Sequence, residues 1–140
     1  MSKDLSVNGR KKLSTLQKDF SEKFSFLFLA FIETEDREKT INARSLDTSK
    51  TIMETRIKFS NEEISINGRT LVRNIEKYFF EELGIACQIT IHNYSDQELY
   101  FPLGYFNEMS LTKANEWAEK QNCTEITAKK VVEFSGKNVF

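Results

Sequence analysis

The sequence has few of the residues that enzymes and metal sites usually need. Its 140 residues include one histidine, His92, and two cysteines, Cys87 and Cys123. The cysteines lie far apart without the spacing of metal ligands, so neither a disulfide framework nor a zinc site is predicted. The five glycines form no Walker or dinucleotide-binding pattern, which excludes the common phosphate-binding loops. We therefore expect no cofactor, no metal site and no catalytic residues.

Long apolar runs are also absent. The most apolar stretch, residues 24–32, is nine residues long, whereas a membrane-spanning helix needs about twenty. This stretch is therefore interpreted as a buried strand. The first twenty residues contain seven charged residues and no apolar run, so neither a secretory signal nor a lipid anchor is expected. These features predict a cytoplasmic protein without a membrane partner.

The composition that remains is typical of a folded protein. Hydrophobic residues make up 39% of the chain, including twelve Phe, and charged residues make up 29%. This balance can fill a core and cover a surface. The net charge is −1, but it is unevenly distributed. Residues 1–60 contain 12 Lys or Arg against 9 Asp or Glu, a net charge of +3, whereas residues 61–122 contain 5 against 10, a net charge of −5.

An internal repeat appears when the chain is aligned with itself at an offset of 59 residues. Seven residues of the first half are then identical to their counterparts in the second: Ser6, Asn8, Gly9, Arg10, Lys18, Phe20 and Glu22 match Ser65, Asn67, Gly68, Arg69, Lys77, Phe79 and Glu81. We predict two tandem copies of one unit, residues 1–60 and 61–122, packed into one compact α+β body. A tail, residues 123–140, follows, and we expect a closing strand in residues 125–134.

Each unit is predicted to run hairpin, helix, hairpin, helix. The first hairpins are predicted at Asn8-Gly9 and Asn67-Gly68, because this dipeptide favours tight turns between strands. Apolar residues at helical spacing follow in both units: Leu13, Leu16, Phe20 and Phe24, then Val72, Ile75, Phe79 and Leu83. Ser14 with Gln17, and Asn74, are the predicted N-terminal caps of these helices, and Gly84 is the predicted end of the second.

A strand follows the first helix of each unit. Its core face is predicted to hold alternate residues: Phe26, Phe28, Ala30 and Ile32 in the first unit, and Ile85, Cys87, Ile89 and Ile91 in the second. Polar turns at residues 33–38 and 93–96 lead to strands near residues 40–44 and 98–103. Ser45 and Ser110 are predicted to start the closing helices. Aligning Ser45 with Ser110 raises the offset between the two units from 59 to 65. The second unit is therefore predicted to contain six extra residues, around residues 101–107.

The motifs of the second unit resemble those of a known group of proteins. They are Glu63-Ile64-Ser65-Ile66 before Asn67-Gly68, then Ile75-Glu76-Lys77-x-Phe79, Leu83-Gly84-Ile85 and Gln88-Ile89. Over nearly the whole chain this pattern resembles duplicated bacterial proteins of unknown function. The first unit departs from the pattern with Phe24-Ser25-Phe26 at the end of its helix. The resemblance implies a fold and a bacterial origin, and it implies no activity.

Several residues that could carry chemistry have simpler interpretations. His92 stands beside Tyr94, Ser95 and Asp96 in what is predicted to be a polar turn, since adjacency in sequence is not the geometry of a catalytic triad. Cys87 and His92 are five residues apart and point to opposite faces of a strand. The acidic residues Glu33, Glu35, Asp36 and Glu38 lack the spacing and central Gly of an EF-hand loop. They are interpreted as a solvated loop.

The differences between the units predict an interaction surface. The outward face of the first central strand carries Leu27, Leu29 and Phe31, where the second unit has Ala86, Gln88 and Thr90. We expect this face to be covered, either within the chain or by another chain, through apolar residues of the second unit: Leu71, Tyr78 and Phe80. The segment around residues 100–106 adds aromatic residues of a kind enriched at interfaces: Tyr100, Phe101, Tyr105 and Phe106.

These observations predict a non-catalytic module that binds another protein or itself. The alternative is a nucleic-acid-binding protein that uses the basic first unit, where Arg10, Lys11 and Lys12 follow the Asn-Gly pair. An unrecognised enzyme is the third possibility. Steep salt dependence of binding would favour the nucleic-acid alternative.

Overall fold

A computed structural model describes residues 4–36, 44–58, 64–92, 99–100 and 104–134, with only the backbone described at 36, 99, 100, 104, 105, 133 and 134. Helices and strands are mixed along the chain, which confirms the α+β class. The elements are, in order, β1 (Leu5–Ser6), α1 (Leu13–Lys23), β2 (Phe28–Ile32), a 3-10 turn (Thr34–Asp36), α2 (Ile52–Thr55), β3 (Ser65–Ile66), α3 (Val72–Tyr78) with a π-helical turn (Phe79–Leu83), β4 (Ala86–His92), β5 (Leu99–Tyr100), a 3-10 segment (Gly104–Glu108), α4 (Leu111–Lys120) and α5 (Ala128–Phe134).

Both described sheets join the two halves of the chain. β1 pairs with β3 in antiparallel fashion, and Ser6 lies opposite Ser65, its counterpart at the offset of 59. β2 pairs with β4, which in turn pairs with β5. In the β2–β4 pair, Leu29 lies opposite Ile89 and Phe31 opposite Cys87. The two predicted units therefore share their sheets and their core.

The helices that precede β2 and β4 satisfy backbone groups of those strands. The Nε2 of Gln17, in α1, donates to the carbonyl of Leu29 at 3.0 Å. The hydroxyl of Ser21 donates to the carbonyl of Leu27, the residue just before β2, at 2.8 Å. In the second half, the backbone N–H of Ile89 donates to the carboxylate of Glu76 at 3.0 Å. These side chains cover strand groups that would otherwise remain without a backbone partner.

The predicted Asn-Gly hairpins are wrong. The two segments form turns that lead directly into helices, and neither Gly9 nor Gly68 has a positive φ. In each turn the Asn side chain accepts a hydrogen bond from the backbone two residues later, at Arg10 and at Arg69. This geometry is an Asx-turn. The Asn-Gly signal was misread because β1 has its partner in β3, about sixty residues away, rather than just after its own turn.

The glycines of these turns permit close approach of the next helix. The backbone N–H of Met53, in α2, donates to the carbonyl of Gly9 at 2.9 Å, and that of Thr112, in α4, donates to the carbonyl of Gly68 at 3.0 Å. A Cβ at Gly68 would collide with the Oγ1 of Thr112. The first turn of each closing helix is thus held against an Asn-Gly turn.

The positions of the two closing helices show that the predicted change of offset from 59 to 65 is wrong. Ser45 does not start a helix; it forms an isolated bridge with Ile32. The first closing helix starts after Thr51, whose side chain caps it, and the second starts after Ser110 as predicted. Since Thr51 and Ser110 are 59 residues apart, the offset at these caps is 59 rather than 65. The six extra residues inferred from the larger offset are therefore not needed.

The predicted caps of α1 and α3 are also wrong. Neither Lys12 nor Leu71, the residues that precede these helices, makes a capping hydrogen bond through its side chain. The backbone N–H groups at the start of each helix donate to carbonyls of other segments instead. The N–H of Leu13 donates to the carbonyl of Lys50, and that of Val72 to the carbonyl of Met109. Gly84, with φ of 71°, ends the second helix as predicted.

The faces of β2 differ from the prediction. Leu27, Leu29 and Phe31 are at most 1% exposed and lie in the main core with Cys87, Ile89 and Ile91. Phe28 and Ala30, expected on the core face, form a separate cluster on the other face of the sheet, and Ile32 packs with Ala86. The helix of the second half ends in a π-helical turn, and β4 begins at residue 86, one residue earlier than the offset of 59 predicts from the start of β2 at residue 28. A shift of one residue in a strand exchanges its two faces.

The C-terminal segment is a helix rather than the expected closing strand. In α5, Thr127 caps the first turn by accepting from the backbone of Lys130 at 3.3 Å. Ile126 and Val131 are buried against Phe28 and Ala30. The apolar face of the sheet opposite the main core is thus covered by the C-terminal segment. The predicted strands near residues 40–44 and 98–103 lie largely outside the described residues, with only β5 visible.

Candidate functional site

The residues predicted to form an interaction surface are placed differently by the structure. Leu27, Leu29 and Phe31 are buried within the chain, and the ring of Phe31 lies edge-on to that of Phe79, with centroids 5.4 Å apart. The aromatic partner on this face is therefore Phe79. Tyr78 packs on the outer side of Phe79, with centroids 5.6 Å apart. These side chains form the interior of the molecule and offer little surface to another chain.

The remaining residues of the predicted surface are half-buried, buried or outside the description. Leu71 is half-buried and bridges to Ser110 at the start of α4. Phe80 is half-buried, and the Nζ of Lys58 lies 6.0 Å from the centre of its ring. Phe106 is 2% exposed and packs on Trp117, with centroids 5.6 Å apart. Phe101 and the side chains of Tyr100 and Tyr105 lie outside the described part of the structure.

Cys87 and His92 are both buried in β4. Burial raises the pKa of the Cys87 thiol well above its ordinary value, and the negative charge of Glu76 adds to the effect. The thiol is therefore protonated and poorly nucleophilic. His92 stands five residues further along the strand, on its other face, and its carbonyl accepts from the backbone of Thr124 at 2.9 Å.

The basic residues after the first Asn-Gly turn are only partly available to a ligand. The ammonium of Lys11 lies 3.2 Å from the carboxylate of Asp19 and donates to the carbonyl of Ser6 at 3.0 Å. Arg10 and Lys12 are exposed. In the part of the chain that the structure describes, no group of three or more His, Cys, Asp or Glu side chains could hold a metal ion.

An open groove lies between α1 and α5, and we call it the α1–α5 groove. Its volume is about 520 Å³. The residues that line it are Ser14, Thr15, Lys18, Ala128, Val131 and Val132. The described lining side chains are aliphatic groups, two hydroxyls and one ammonium. Such a surface can accommodate an apolar side chain and attract a negative charge beside it.

Two adjacent valines of α5 that line the groove differ sharply in exposure. Val131 is 3% exposed and packs towards the sheet, whereas Val132 is 76% exposed at the edge of the groove. The backbone N–H of Ile126 donates to the carbonyl of Ser25 at 2.6 Å, which ties the start of this segment to the end of α1. Val131 and Ile126 therefore hold α5 in place while Val132 stays open to a partner.

Sequence reasoning missed this groove because it interpreted the tail as a strand. The pattern Thr127, Ala128, Val131, Val132 combines an N-cap residue with an apolar i, i+3, i+4 spacing. That pattern is typical of a short amphipathic helix.

A second, more polar cleft of about 260 Å³ lies between the end of α1 and the second Asn-Gly turn. It is lined by Lys23, Phe24, Gly68, Thr112, Asn115 and Glu116. Asn115 is already engaged, because its Oδ1 accepts from the backbone N–H of Phe26 at 2.8 Å. We therefore regard the α1–α5 groove as the stronger candidate.

Comparison with known proteins adds no family to this picture. No protein-family model matches the sequence, and no curated protein or solved structure is significantly similar to it. The resemblance to duplicated bacterial proteins stays a prediction. Within the described residues, no helix has both the length and the apolar character needed to cross a bilayer.

Proposed function

We propose that this protein is a non-catalytic protein-interaction module whose binding surface is the α1–α5 groove. The observation that carries the proposal is Val132, which is 76% exposed on a helix held in place by the buried Val131. Apolar grooves beside helices are a recurring docking site for side chains of a protein partner. Of the residues predicted from sequence to form the interface, Leu27, Leu29, Phe31 and Phe106 are buried, so the groove takes their place.

Among the described side chains of the lining, the charged one is Lys18, and its ammonium favours an acidic partner. Lys18 is exposed within the lining, and Lys129 is exposed next to Ala128 on α5. A partner that inserts an apolar side chain and presents a carboxylate nearby would satisfy both parts of the surface. We therefore infer an apolar residue flanked by acidic residues as the bound motif.

We further propose that the two halves are diverged copies of one unit in a cytoplasmic bacterial protein. Hydrogen bonds that recur at an offset of 59 support the duplication. The N–H of Ile52 donates to the carbonyl of Lys11, as that of Leu111 does to Thr70. The bridge between Lys12 and Thr51 likewise corresponds to that between Leu71 and Ser110.

Nucleic-acid binding through the first unit is less well supported. Of the three consecutive basic residues, Lys11 is paired with Asp19. The alternative would be favoured if single-stranded DNA or RNA bound the chain with an affinity that fell steeply with salt. Substituting Arg10 and Lys12 by Gln should then weaken that binding.

A peptide-display experiment tests the proposed function. A library of displayed peptides is selected on the wild-type protein, and binding of the enriched peptides is compared with two variants that fill the groove, Ala128→Trp and Thr15→Trp. Both replaced residues are exposed, so the fold should tolerate the larger side chain, which circular dichroism can check. Lys113→Trp, at an exposed position on α4 outside the groove lining, is the matched control.

The enriched peptides should contain an apolar residue beside acidic residues, bind the control as tightly as the wild type, and lose at least tenfold in affinity for both filled variants. If no peptide is enriched, or if filling the groove leaves binding unchanged, the groove is not the interaction surface.

A further inference from the structure

Both strand pairs that join the two halves of the chain are centred on corresponding residues. In the β1–β3 pair, Ser6 lies opposite Ser65, its counterpart at the offset of 59. In the β2–β4 pair, the middle one of the five residue pairs is Ala30 opposite Gln88, and each of these is the third residue of its strand. An antiparallel pair centred on corresponding residues has a two-fold axis through its centre. The halves are therefore related as the two subunits of a symmetric dimer are.

Contacts outside the strands run in both directions across this axis. The backbone N–H of Ile57, just after α2, donates to the carbonyl of Leu83 at the end of the π-helical turn, at 3.0 Å. In the other direction, the Oδ1 of Asn115, in α4, accepts from the backbone N–H of Phe26, just beyond the end of α1, at 2.8 Å. The closing helix of each half thus reaches the end of the first helix of the other half, which is the reciprocity expected of a symmetric dimer.

Each half has internal contacts of its own but pairs its strands with those of the other half. The bridges that Lys12 and Leu71 form with the residues before α2 and α4 lie within one half each. By contrast, β1 pairs with β3, and β2 pairs with β4. A first half without a second half would expose β2 together with Leu29 and Phe31 of the main core. Such a surface needs a partner, and the partner that fits it is a second half.

We propose that two copies of this chain exchange halves, so that the first half of each copy pairs with the second half of the other. The contacts between the halves are then formed again in the same register, and two cores form instead of one. Exchange of this kind is a low-cost route to a dimer because it requires no new interface. Residues 59–63 are the short connection between the halves, and short connections favour exchange. High protein concentration favours it by mass action.

The net charges of the halves favour this pairing over the pairing of like halves. Residues 1–60 carry a net charge of +3, and residues 61–122 carry a net charge of −5. A first half therefore attracts a second half and repels another first half. The internal symmetry would otherwise allow two first halves, or two second halves, to pair in the same way.

The exchange would assemble each α1–α5 groove from two chains. α1 belongs to the first half, whereas α5 follows the second half. The hydrogen bond from the N–H of Ile126 to the carbonyl of Ser25 crosses this boundary. In the exchanged dimer, α5 of one copy would therefore pack on α1 of the other, and the dimer would carry two grooves. A partner with two binding motifs would then be bound with higher avidity. The exchange itself depends on the pairing of the halves and not on the proposed function of the groove.

Cysteines at the centre of the β1–β3 pair can report which halves have paired. Two chains are made in a Cys123→Ser background, one with Ser6→Cys and the other with Ser65→Cys. Both positions are exposed to an oxidant. Directly opposed residues of antiparallel strands have Cα atoms about 4.5 to 5.5 Å apart, which a disulfide can span. Because each chain holds only one of the two new cysteines, opposed residues 6 and 65 can be linked only between chains that have exchanged halves.

The two chains are unfolded together, refolded with reductant over a series of protein concentrations, and then oxidised. We expect a covalent dimer whose link between residues 6 and 65 is identified by mass spectrometry, in a yield that rises with the concentration during refolding. Mixing the two chains after they have folded should give far less of it in the same time, because the halves must first separate. Circular dichroism checks that the chains have refolded. Ser6→Cys paired with Lys113→Cys, at an exposed position on α4, is the control for chance collisions.

The inference is overturned if the yield of this link never exceeds that of the control. It is also overturned if links between two residues 6, or between two residues 65, predominate, since these would show that like halves pair. Neither result bears on the selection of peptides by the groove, so failure of the exchange leaves the proposed function standing. Failure of peptide selection likewise leaves the exchange standing.

Discussion

The rings of Phe31 and Phe79 meet edge-on in the main core, with their centroids 5.4 Å apart. Phe31 lies on β2 in the first half of the chain, and Phe79 lies at the start of the π-helical turn in the second half. Both side chains are at most 1% exposed. This contact joins the two halves through aromatic packing, and it adds to the pairing of β2 with β4.

The first prediction concerns Phe79 and its counterpart Phe20, both fully buried in the main core. Replacing either residue by Ala should lower the free energy of unfolding by roughly 3 to 5 kcal/mol, because a large buried ring is removed and a cavity remains. Chemical denaturation measures the loss. Met53→Ala, at an exposed position, is the control and should change stability by less than about 0.5 kcal/mol. A loss below about 1 kcal/mol at either Phe would contradict the packing.

The helices of the two halves could be predicted from sequence because their signal is local. Leu13, Leu16 and Phe20 recur at helical spacing, and all three are fully buried. The faces of β2 could not be predicted in this way. Every residue from Leu27 to Ile32 is apolar and buried, so no alternation distinguishes one face from the other.

The candidate site depended on information that lies far apart in the sequence. The π-helical turn that shifts the strand register leaves no mark in the apolar pattern of residues 79–83, and the role of the Asn-Gly pairs is set by the distant partner of β1. The groove forms only once α5 packs on α1. The sequence pattern therefore did not predict the surface that combines Lys18 with Val132.

The second prediction compares the two turn glycines. Gly68→Ala should destabilise the protein by about 1 to 3 kcal/mol, since its new Cβ would collide with the Oγ1 of Thr112. Gly9→Ala should cost less, because the nearest atom is the flexible Cε of Met53, at 3.3 Å. Denaturation curves of both variants measure the difference.

The same pair of residues supplies an internal rescue. Thr112→Ala removes the colliding oxygen. The Cβ of residue 112 then lies 3.6 Å from the methyl group added at residue 68, which is an ordinary van der Waals contact. Combined with Gly68→Ala, it should recover most of the lost stability, and the double-mutant cycle should show a coupling of about 1 kcal/mol or more. Additive losses would mean that the close approach of α4 does not explain the glycine.

The third prediction uses the capping box of α2. The backbone N–H of Thr51 donates to Glu54 at 2.9 Å, and this hydrogen bond, with that of the Thr51 side chain, lowers the pKa of Glu54 from its ordinary value of 4.5. The folded state therefore binds this proton more weakly than the unfolded state. The stabilisation is complete above the unfolded pKa and is lost as the pH falls through the folded pKa. Glu54→Gln should make melting temperature less dependent on pH between neutral and acidic conditions.

A reciprocal variant in α4 provides the control. There Ser110 caps the helix by accepting from the backbone of Lys113 at 3.3 Å, but residue 113 has no carboxylate to complete the box. Lys113→Glu should complete it, raise the melting temperature at neutral pH and lose that gain in acid. An identical pH profile for the wild type and both variants would show that the capping carboxylate contributes nothing.

The last prediction concerns the thiols. Burial raises the pKa of both cysteines, well above the ordinary value of 9.0 at Cys87, where Glu76 adds its negative charge, and more modestly at the half-buried Cys123. In the folded protein at mildly alkaline pH, a disulfide reagent should therefore modify Cys123 first, and Cys87 only at the rate of unfolding. Cys123→Ser isolates the slow reaction of Cys87, and denaturant should abolish the protection of that thiol.

The raised pKa of Cys87 also makes stability depend on pH. Because the folded state holds the Cys87 proton more tightly than the unfolded state does, the contribution of this thiol to stability is complete below the unfolded pKa and falls as the pH rises above 9.0. Cys87→Ala should remove that alkaline loss. Equal reaction rates of the two thiols in the folded protein would place Cys87 at the surface and contradict its position opposite Phe31 in the sheet.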